Sequence, residues 1–306
     1  MNDVNHLFIG DCKIILPALK AQSVQTVVTS PPYFGLRDYG VEGQIGQEDS
    51  VEEYVKNLVA VFHEVKRVLK DDGTLWLNLG DSYAGSNKNR NAEGKSYAMK
   101  EGYKDSTHTG RRMGVVKQTP LSGWLKPKDL IGVPWRVAFA LQEDGWYLRQ
   151  DIIWHKPNAM PEPVKDRCTK SHEYIFLLSK HKNYYFDAEA IKEPVVSIKG
   201  NNKTFRKGGV YTKGHNKPNE SGKRNKRDVW TIPTHPYKGA HFAAFPLKLV
   251  VPCVLAGTRE GDVILDPFFG SGTVAEAATL LNRNWLGIDI NPDYEPLYKQ
   301  RLALFA

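Results

Sequence analysis

Two short stretches of this 306-residue chain combine residue types that could do chemistry. The first is Thr29-Ser30-Pro31-Pro32-Tyr33. Its Ser30 hydroxyl and Pro31 carbonyl are hydrogen-bond acceptors, two prolines stiffen the turn, and Tyr33 offers a flat aromatic face. By itself such a turn reads as a strand end or a peptide-binding ligand; paired with a cofactor site that donates a methyl group, it would suit an exocyclic amine on a planar ring. The amino nitrogen is conjugated into its ring and is a poor nucleophile. Acceptors on its two protons favour a more tetrahedral nitrogen with an available lone pair. Neither a covalent intermediate nor a metal is required, because positioning for in-line displacement does most of the work.

The second stretch is Asp266-Pro267-Phe268-Phe269-Gly270-Ser271-Gly272-Thr273, preceded by the apolar run Val263-Ile264-Leu265. It reads as a glycine-rich turn between a strand and a helix. Glycines there let the backbone approach a ligand closely, and the helix N-terminus offers free N–H groups to an anionic or polar group. A further carboxylate, Asp289, ends the next apolar run about 20 residues on, where it would meet ribose hydroxyls. The turn is too short for a Walker phosphate loop and lacks its lysine, which argues against ATP binding.

The elements that must position these stretches follow from periodicity. His6–Ile9 and Val24–Thr29 read as strands flanking a short amphipathic segment over 14–19, and Ser30-Pro31-Pro32 cannot continue a ladder. Apolar residues from Val51 to Leu69 recur on one helical face, with Ser50 as N-cap and Asp71-Asp72-Gly73 as the stop. Strands are expected over 74–79, 147–154, 173–179, 262–266 and 285–290, and helices over 127–141, 246–255 and 272–281. Strands alternating with helices imply an α/β fold with a mostly parallel sheet covered on both faces.

The net charge of +8 is concentrated. Residues 84–126 hold nine Lys/Arg against three Asp/Glu, and residues 198–228 hold ten against two, so the remaining chain is acidic. Both segments are rich in Gly, Asn and Ser and read as loops. Arms of this kind neutralise phosphates, and Tyr97, Tyr103, Phe205, Tyr211 and Trp230 in or beside them could stack on bases. Cys12, Cys168 and Cys253 are few and widely spaced, which fits neither a disulfide framework nor a metal cluster and suggests a reducing, cytoplasmic setting. No apolar run approaches the ~20 residues needed to span a bilayer, and the N-terminus lacks signal-peptide character.

The Asp266–Thr273 stretch closely resembles the cofactor motif of amino-directed DNA methyltransferases, and Ser-Pro-Pro-Tyr resembles their catalytic motif. The resemblance runs from Phe8 to about Tyr294. It implies a Rossmann-like S-adenosylmethionine-dependent methyltransferase fold. The order of catalytic motif, basic region and cofactor motif matches the beta group, a circular rearrangement of that fold. It also implies a cofactor set of Asp11, Phe245, Asp266, Pro267, Phe268, Gly270, Ser271, Gly272, Thr273 and Asp289. Within it, Asp11 lies near the adenine ring, Phe245 packs against the cofactor as part of the wrapping segment His241–Pro246, and Asp289 holds the ribose. The catalytic set is Ser30, Pro31, Pro32 and Tyr33, with no metal. The segment 151–158 is also family-like, with Trp154 or Lys156 bordering the base pocket, as is Ser171–Ile175.

On this reading residues 1–157 form the catalytic part, with a basic loop insertion at 84–126. Residues 158–238 form the target-recognition region, and 239–306 the cofactor-binding part of the same domain. The partner is double-stranded DNA, from which the target base is flipped out; a homodimer and a cognate restriction endonuclease are compatible partners, and a membrane is not. Serine at the first catalytic position is more usual for cytosine N4 than for adenine N6, so cytosine N4 is preferred over adenine N6. An RNA methyltransferase or a catalytically silent nucleic-acid-binding module are more distant alternatives. Cytosine C5 chemistry would need a Cys nucleophile; Pro252-Cys253 lies in an apolar helix, and Cys253 reads as core. His155 and His172 read as structural.

Overall fold

The computed structural model describes residues 4–36, 40–85, 123–195, 222–234 and 245–303. Most of both basic arms, with Tyr97, Tyr103, Phe205 and Tyr211, lies outside these residues, as does the stretch 241–244. The elements begin with β1 (His6–Ile9), α1 (Cys12–Ala18), β2 (Val24–Thr29), α2 (Val51–Val68) and β3 (Leu69–Leu79). Next come α3 (Val133–Glu143), β4 (Tyr147–His155), β5 (His172–Ser179) and the short strands β6 (Glu193–Pro194), β7 (Lys223–Arg224) and β8 (Val229–Thr231). The chain continues through α4 (Leu247–Gly257), β9 (Val263–Asp266), α5 (Thr273–Leu280) and β10 (Asn284–Asp289). A 3₁₀ turn (Pro292–Tyr294) leads into α6 (Glu295–Leu302).

Eight strands form one sheet in the order β1-β10-β9-β2-β3-β5-β4-β8. The pairings are parallel throughout except on either side of β5, so β5 alone runs against the other seven. One core, on the face covered by α1, α2 and α3, includes Tyr54, Leu58, Phe62 and Leu141. The other lies beneath α4 and α5 and includes Val254, Ala275, Ala277 and Trp285. This is the expected α/β fold, with a mostly parallel sheet and helices on both faces. The pairing of β9 with β2 places the strand of the glycine-rich turn beside the strand of Ser-Pro-Pro-Tyr, with Val27 opposite Leu265. Open α/β sheets bind ligands at such a point, outside the carboxyl ends of the strands.

Helix α2 forms for the reasons its sequence suggests. Ser50 Oγ accepts from the Glu53 N–H at 3.1 Å, Glu52 and Glu53 occupy the first turn, and Lys66 and Arg67 the last. Its face of Val51, Tyr54, Leu58, Val61, Phe62, Val65 and Val68 is fully buried, worth roughly 1.5–3 kcal/mol of transfer free energy for each large side chain. The expected stop at Asp71-Asp72-Gly73 is not where the helix ends. The chain passes directly into β3 at Leu69, and those three residues lie where the register with β2 shifts between Val24 and Thr26.

Helix α3 begins at Val133 rather than near Pro127. Residues 128–131 instead bond to Ser82–Ala84, with Ala84 N–H donating to Asp129 O and Ile131 N–H to Ser82 O. Gly132 then takes a left-handed conformation (φ 76°), and the Asp81 carboxylate accepts from the N–H groups of both Gly132 and Val133 at 3.0 Å. A distant carboxylate replaces the local N-cap. Trp230 also departs from expectation. It is buried, with Nε1–H donating to the Arg227 carbonyl at 2.7 Å, so it is core and not a stacking platform. Among the described residues no helix is long and apolar enough to cross a membrane.

Candidate active site

A cleft of about 1230 Å³ opens at the carboxyl ends of the central strands, and both chemical stretches line it. Ser30, Pro31, Pro32 and Tyr33 form one wall, directly after the last residue of β2. The turn is braced from α2, where Tyr54 O–H donates to the Pro32 carbonyl at 2.8 Å. Opposite the Tyr33 ring, Gly80 leaves no room for a side chain, since a Cβ there would lie 2.4 Å from Tyr33 Cε2. The glycine thus seats the ring against the end of β3.

The hydroxyls of this wall form a chain. Ser30 O–H donates to Tyr33 Oη at 3.4 Å, and Tyr33 O–H faces Glu173 Oε2 at 2.9 Å and Asn78 Oδ1 at 3.2 Å. Burial, reinforced by the Glu173 charge, pushes the Tyr33 phenol well above its ordinary range and keeps it protonated. Glu173 lies at the start of β5 and pairs through Oε1 with Lys156, whose ammonium lies 4.2 Å from the Trp154 ring centroid. Lys170 donates to the Asp81 carbonyl at 2.5 Å, and its burial lowers its pKa. Trp154 and Lys156 also line the cleft. Asn78, Glu173 and Lys170 are additions. The polar Asn78 interrupting an apolar strand was the available signal for one of them, and the stretch Ser171–Ile175 for another.

The other half is built largely from main chain. Gly270 and Gly272 take positive φ of 53° and 78°, and a Cβ on Gly272 would meet Tyr298 Cβ at 2.7 Å. Asp289 ends β10 and holds the turn, accepting from Gly270 N–H at 2.7 Å through one oxygen and from Asn291 N–H at 2.8 Å through the other. Asp266 Oδ1 accepts from Phe268 N–H at 3.1 Å and from Thr29 O–H at 2.6 Å. This last bond ties the two stretches together across 237 positions of sequence. Ser271 and Thr273 offer hydroxyls at the head of α5, and both are engaged by Arg301 of α6, at 3.2 and 2.8 Å. Arg301 also pairs with Glu276 at 2.8 Å. Pro267 and Phe268 line the cleft, as does Phe245, which also packs partly against the second core. Asp11 lies at the mouth of α1, where its side chain caps the Lys13 N–H at 2.8 Å. All the sequence-picked site residues except Gly272 line this one cleft, and Gly272 sits within its turn.

Two buried carboxyls stand in the cleft lining. Burial pushes the Asp266 carboxyl up to about 7 and Asp289 up to about 6. Neither has a Lys or Arg ion-pair partner among the described residues. Two buried carboxyls beside a cleft fit a molecule that carries a sulfonium and an ammonium, and a glycine turn fits its close approach. Cys253 is not part of the cleft lining. It is buried in α4, its thiol donates to the Leu249 carbonyl at 3.3 Å, and burial raises its pKa.

Comparison with solved structures defines the fold. The chain superposes on the PvuII DNA methyltransferase (cytosine-N4-specific) with a TM-score of 0.63 at 18% identity, covering 96% of this chain and 85% of that one. It matches a putative DNA modification methylase of Thermus thermophilus, solved with S-adenosyl-L-methionine, at a TM-score of 0.58 and 25% identity, covering 98% and 93%. The fold is that of the Rossmann-like S-adenosylmethionine-dependent methyltransferases. The N6/N4 DNA methylase model matches residues 24–300, and the chain belongs to that family. It is 50% identical to the Type II methyltransferase M.SmaI of Serratia marcescens, over 97% of this chain and 90% of that protein. It is 48% identical to M.Cfr9I of Citrobacter freundii, over 97% and 87%. It is thus a Type II DNA methyltransferase that uses S-adenosylmethionine.

Proposed function

We propose that this enzyme transfers the methyl group to the N4 amino group of cytosine, on a base flipped out of double-stranded DNA into the cleft. The observation that carries the reading is Ser30 at the head of the turn. A short hydroxyl, with its hydrogen directed to Tyr33 at 3.4 Å, stands where a carboxamide or carboxylate would suit the adenine N6 reading.

Ser30 Oγ and the Pro31 carbonyl accept from the two amino protons and draw the nitrogen towards a tetrahedral form. Tyr33 stacks against the base, offsetting part of the few kcal/mol that flipping costs. S-adenosylmethionine supplies an electrophilic methyl group on a sulfonium. On the protein side, Asp266 and Asp289 provide the negative field for its positive charge. The turn 270–273 admits it closely, Asp289 and Asp11 take its ribose and adenine ends, and Phe245 packs over it. The short Thr29–Asp266 bond holds donor and acceptor halves in register, which is what in-line displacement demands. The basic segments 84–126 and 198–228 neutralise phosphates, and the connections within 158–238 read the target sequence.

The test is methylation of DNA from a methylation-deficient strain with labelled cofactor, followed by nucleoside analysis. N4-methylcytosine is the expected product. N6-methyladenine would overturn the choice of base, and label in RNA alone would overturn the substrate.

A further inference from the structure

The geometry points to Glu173 as the positioning residue that fixes the direction of the hydroxyl chain, so that Ser30 Oγ faces the target amine as an acceptor and not as a donor. This deepens the proposed reaction and rests on it.

Hydrogen-bond accounting leads to the assignment. Asn78 is buried, and its amide nitrogen has two hydrogens. One goes to the Tyr174 carbonyl at 3.0 Å and the other faces Glu173 Oε2 at 3.3 Å. A carbonyl only accepts, so the amide cannot be turned over, and Asn78 Oδ1 must face the Tyr33 phenol. Glu173 Oε2 faces the same phenol at 2.9 Å, and a carboxylate is also an acceptor only. Both neighbours of the phenol on this side are therefore acceptors, and its single hydrogen must point at them.

The consequence passes to Ser30. With its hydrogen committed, Tyr33 Oη presents a lone pair towards Ser30, and the serine hydrogen is drawn to it at 3.4 Å. The lone pairs of Ser30 Oγ are left for the cleft. Lys156 holds the far oxygen of Glu173 and keeps the carboxylate turned into the network. Asn78 alone would be a weaker director, since a neutral amide oxygen attracts a hydrogen less strongly than a charged one. Glu173 touches neither base nor cofactor in this scheme; it acts through Tyr33. Were the chain reversed, the Ser30 hydrogen would point at an amino group that also carries hydrogens, and the pocket would repel its substrate.

The experiment is a mutant cycle on the full-length enzyme, read by single-turnover methyl transfer to DNA from a methylation-deficient strain. Cofactor affinity comes from calorimetry and KM for DNA from steady-state rates. Glu173→Gln keeps the shape and places an amide nitrogen opposite the phenol. It should lower the transfer rate about 10- to 100-fold while cofactor Kd and KM for DNA stay within about twofold. Tyr33→Phe should lower the rate similarly. Because Glu173 acts through the phenol, the double variant should be no slower than Tyr33→Phe alone. A wild-type rate in Glu173→Gln would overturn the assignment. So would a loss confined to Kd or KM, or a double variant in which the two losses multiply. Product analysis of the wild type separates this test from the choice of base. N6-methyladenine would remove the cytosine reading and leave the cycle informative, since both bases present an NH2 group.

Discussion

The two halves of the cleft are held in opposite ways. The half proposed to hold the cofactor is a turn of backbone, pinned by the carboxyls of Asp266 and Asp289 to main-chain N–H groups and shaped by glycines. The half proposed to hold the target base is a relay of side chains from separate elements: Ser30 and Tyr33 after β2, Asn78 in β3, Lys156 after β4 and Glu173 in β5. A main-chain cradle tolerates substitutions that keep the turn, whereas a side-chain relay fails at any link. Damage to one half should therefore show in affinity, and damage to the other in rate.

The largest expected effect tests the catalytic side. Tyr33→Ala removes both the stacking face and the middle of the relay. It should reduce the transfer rate about 100-fold or more, with cofactor Kd by calorimetry within about twofold. A comparable loss of cofactor affinity would erase the distinction between the halves. Next, Asp266→Ala should weaken cofactor binding about tenfold or more, and saturating cofactor should restore much of the rate.

A smaller effect follows from pH. The carboxyls of Asp266 and Asp289, at about 7 and about 6 in the fold, have an ordinary value of 3.8 in the unfolded chain. Their folded pKa values are raised, so the stability they contribute is fully present below about pH 4 and is lost as pH rises through about 6 to 7. A cationic ligand favours the ionised forms. Cofactor affinity should thus strengthen between about pH 5.5 and 8, with proton release measurable in buffers of different ionisation enthalpy. Asp266→Asn should flatten most of that dependence, and a pH-independent wild type would contradict it.

Thr29→Val cuts the bond between the halves and, by removing a donor to Asp266, pushes that carboxyl further up, so it should cost a few-fold in both rate and affinity. An effect on one alone would mean that the halves are not coupled through it. The smallest effect is expected from Cys253→Ala, buried in α4 away from the cleft lining, with a rate within about twofold of wild type. A large rate loss there would reopen nucleophilic chemistry by this thiol.

The same contrast decides what was legible in the sequence. A glycine turn after a β-branched run declares itself within about a dozen residues, because local φ and close approach demand those residue types. Asp266–Thr273, Asp289 and the strands around them were therefore readable. Ser30–Tyr33 was readable because prolines end a strand visibly. Asn78 as a polar break in an apolar strand and the stretch Ser171–Ile175 were visible, but that the two meet at Tyr33 follows from the pairing of β3 with antiparallel β5, a tertiary fact with no local mark. The misplaced start of α3 has the same origin, since its cap comes from Asp81, far upstream in the chain. Trp230 looked like an aromatic in a basic arm, and only the pairing of β8 with β4 buries it.

Gly80 bears on how this enzyme can drift. With Cε2 of the Tyr33 ring 2.4 Å from where a methyl would sit, position 80 cannot gain a side chain while the ring at 33 keeps its place. A side chain at 80 requires that the aromatic at 33 shrink or move, which reshapes the wall of the cleft. The steric coupling of the pair is thus also a handle. A Gly80→Ala enzyme with a smaller residue at 33 would present a reshaped wall to which an enlarged base analogue could be matched.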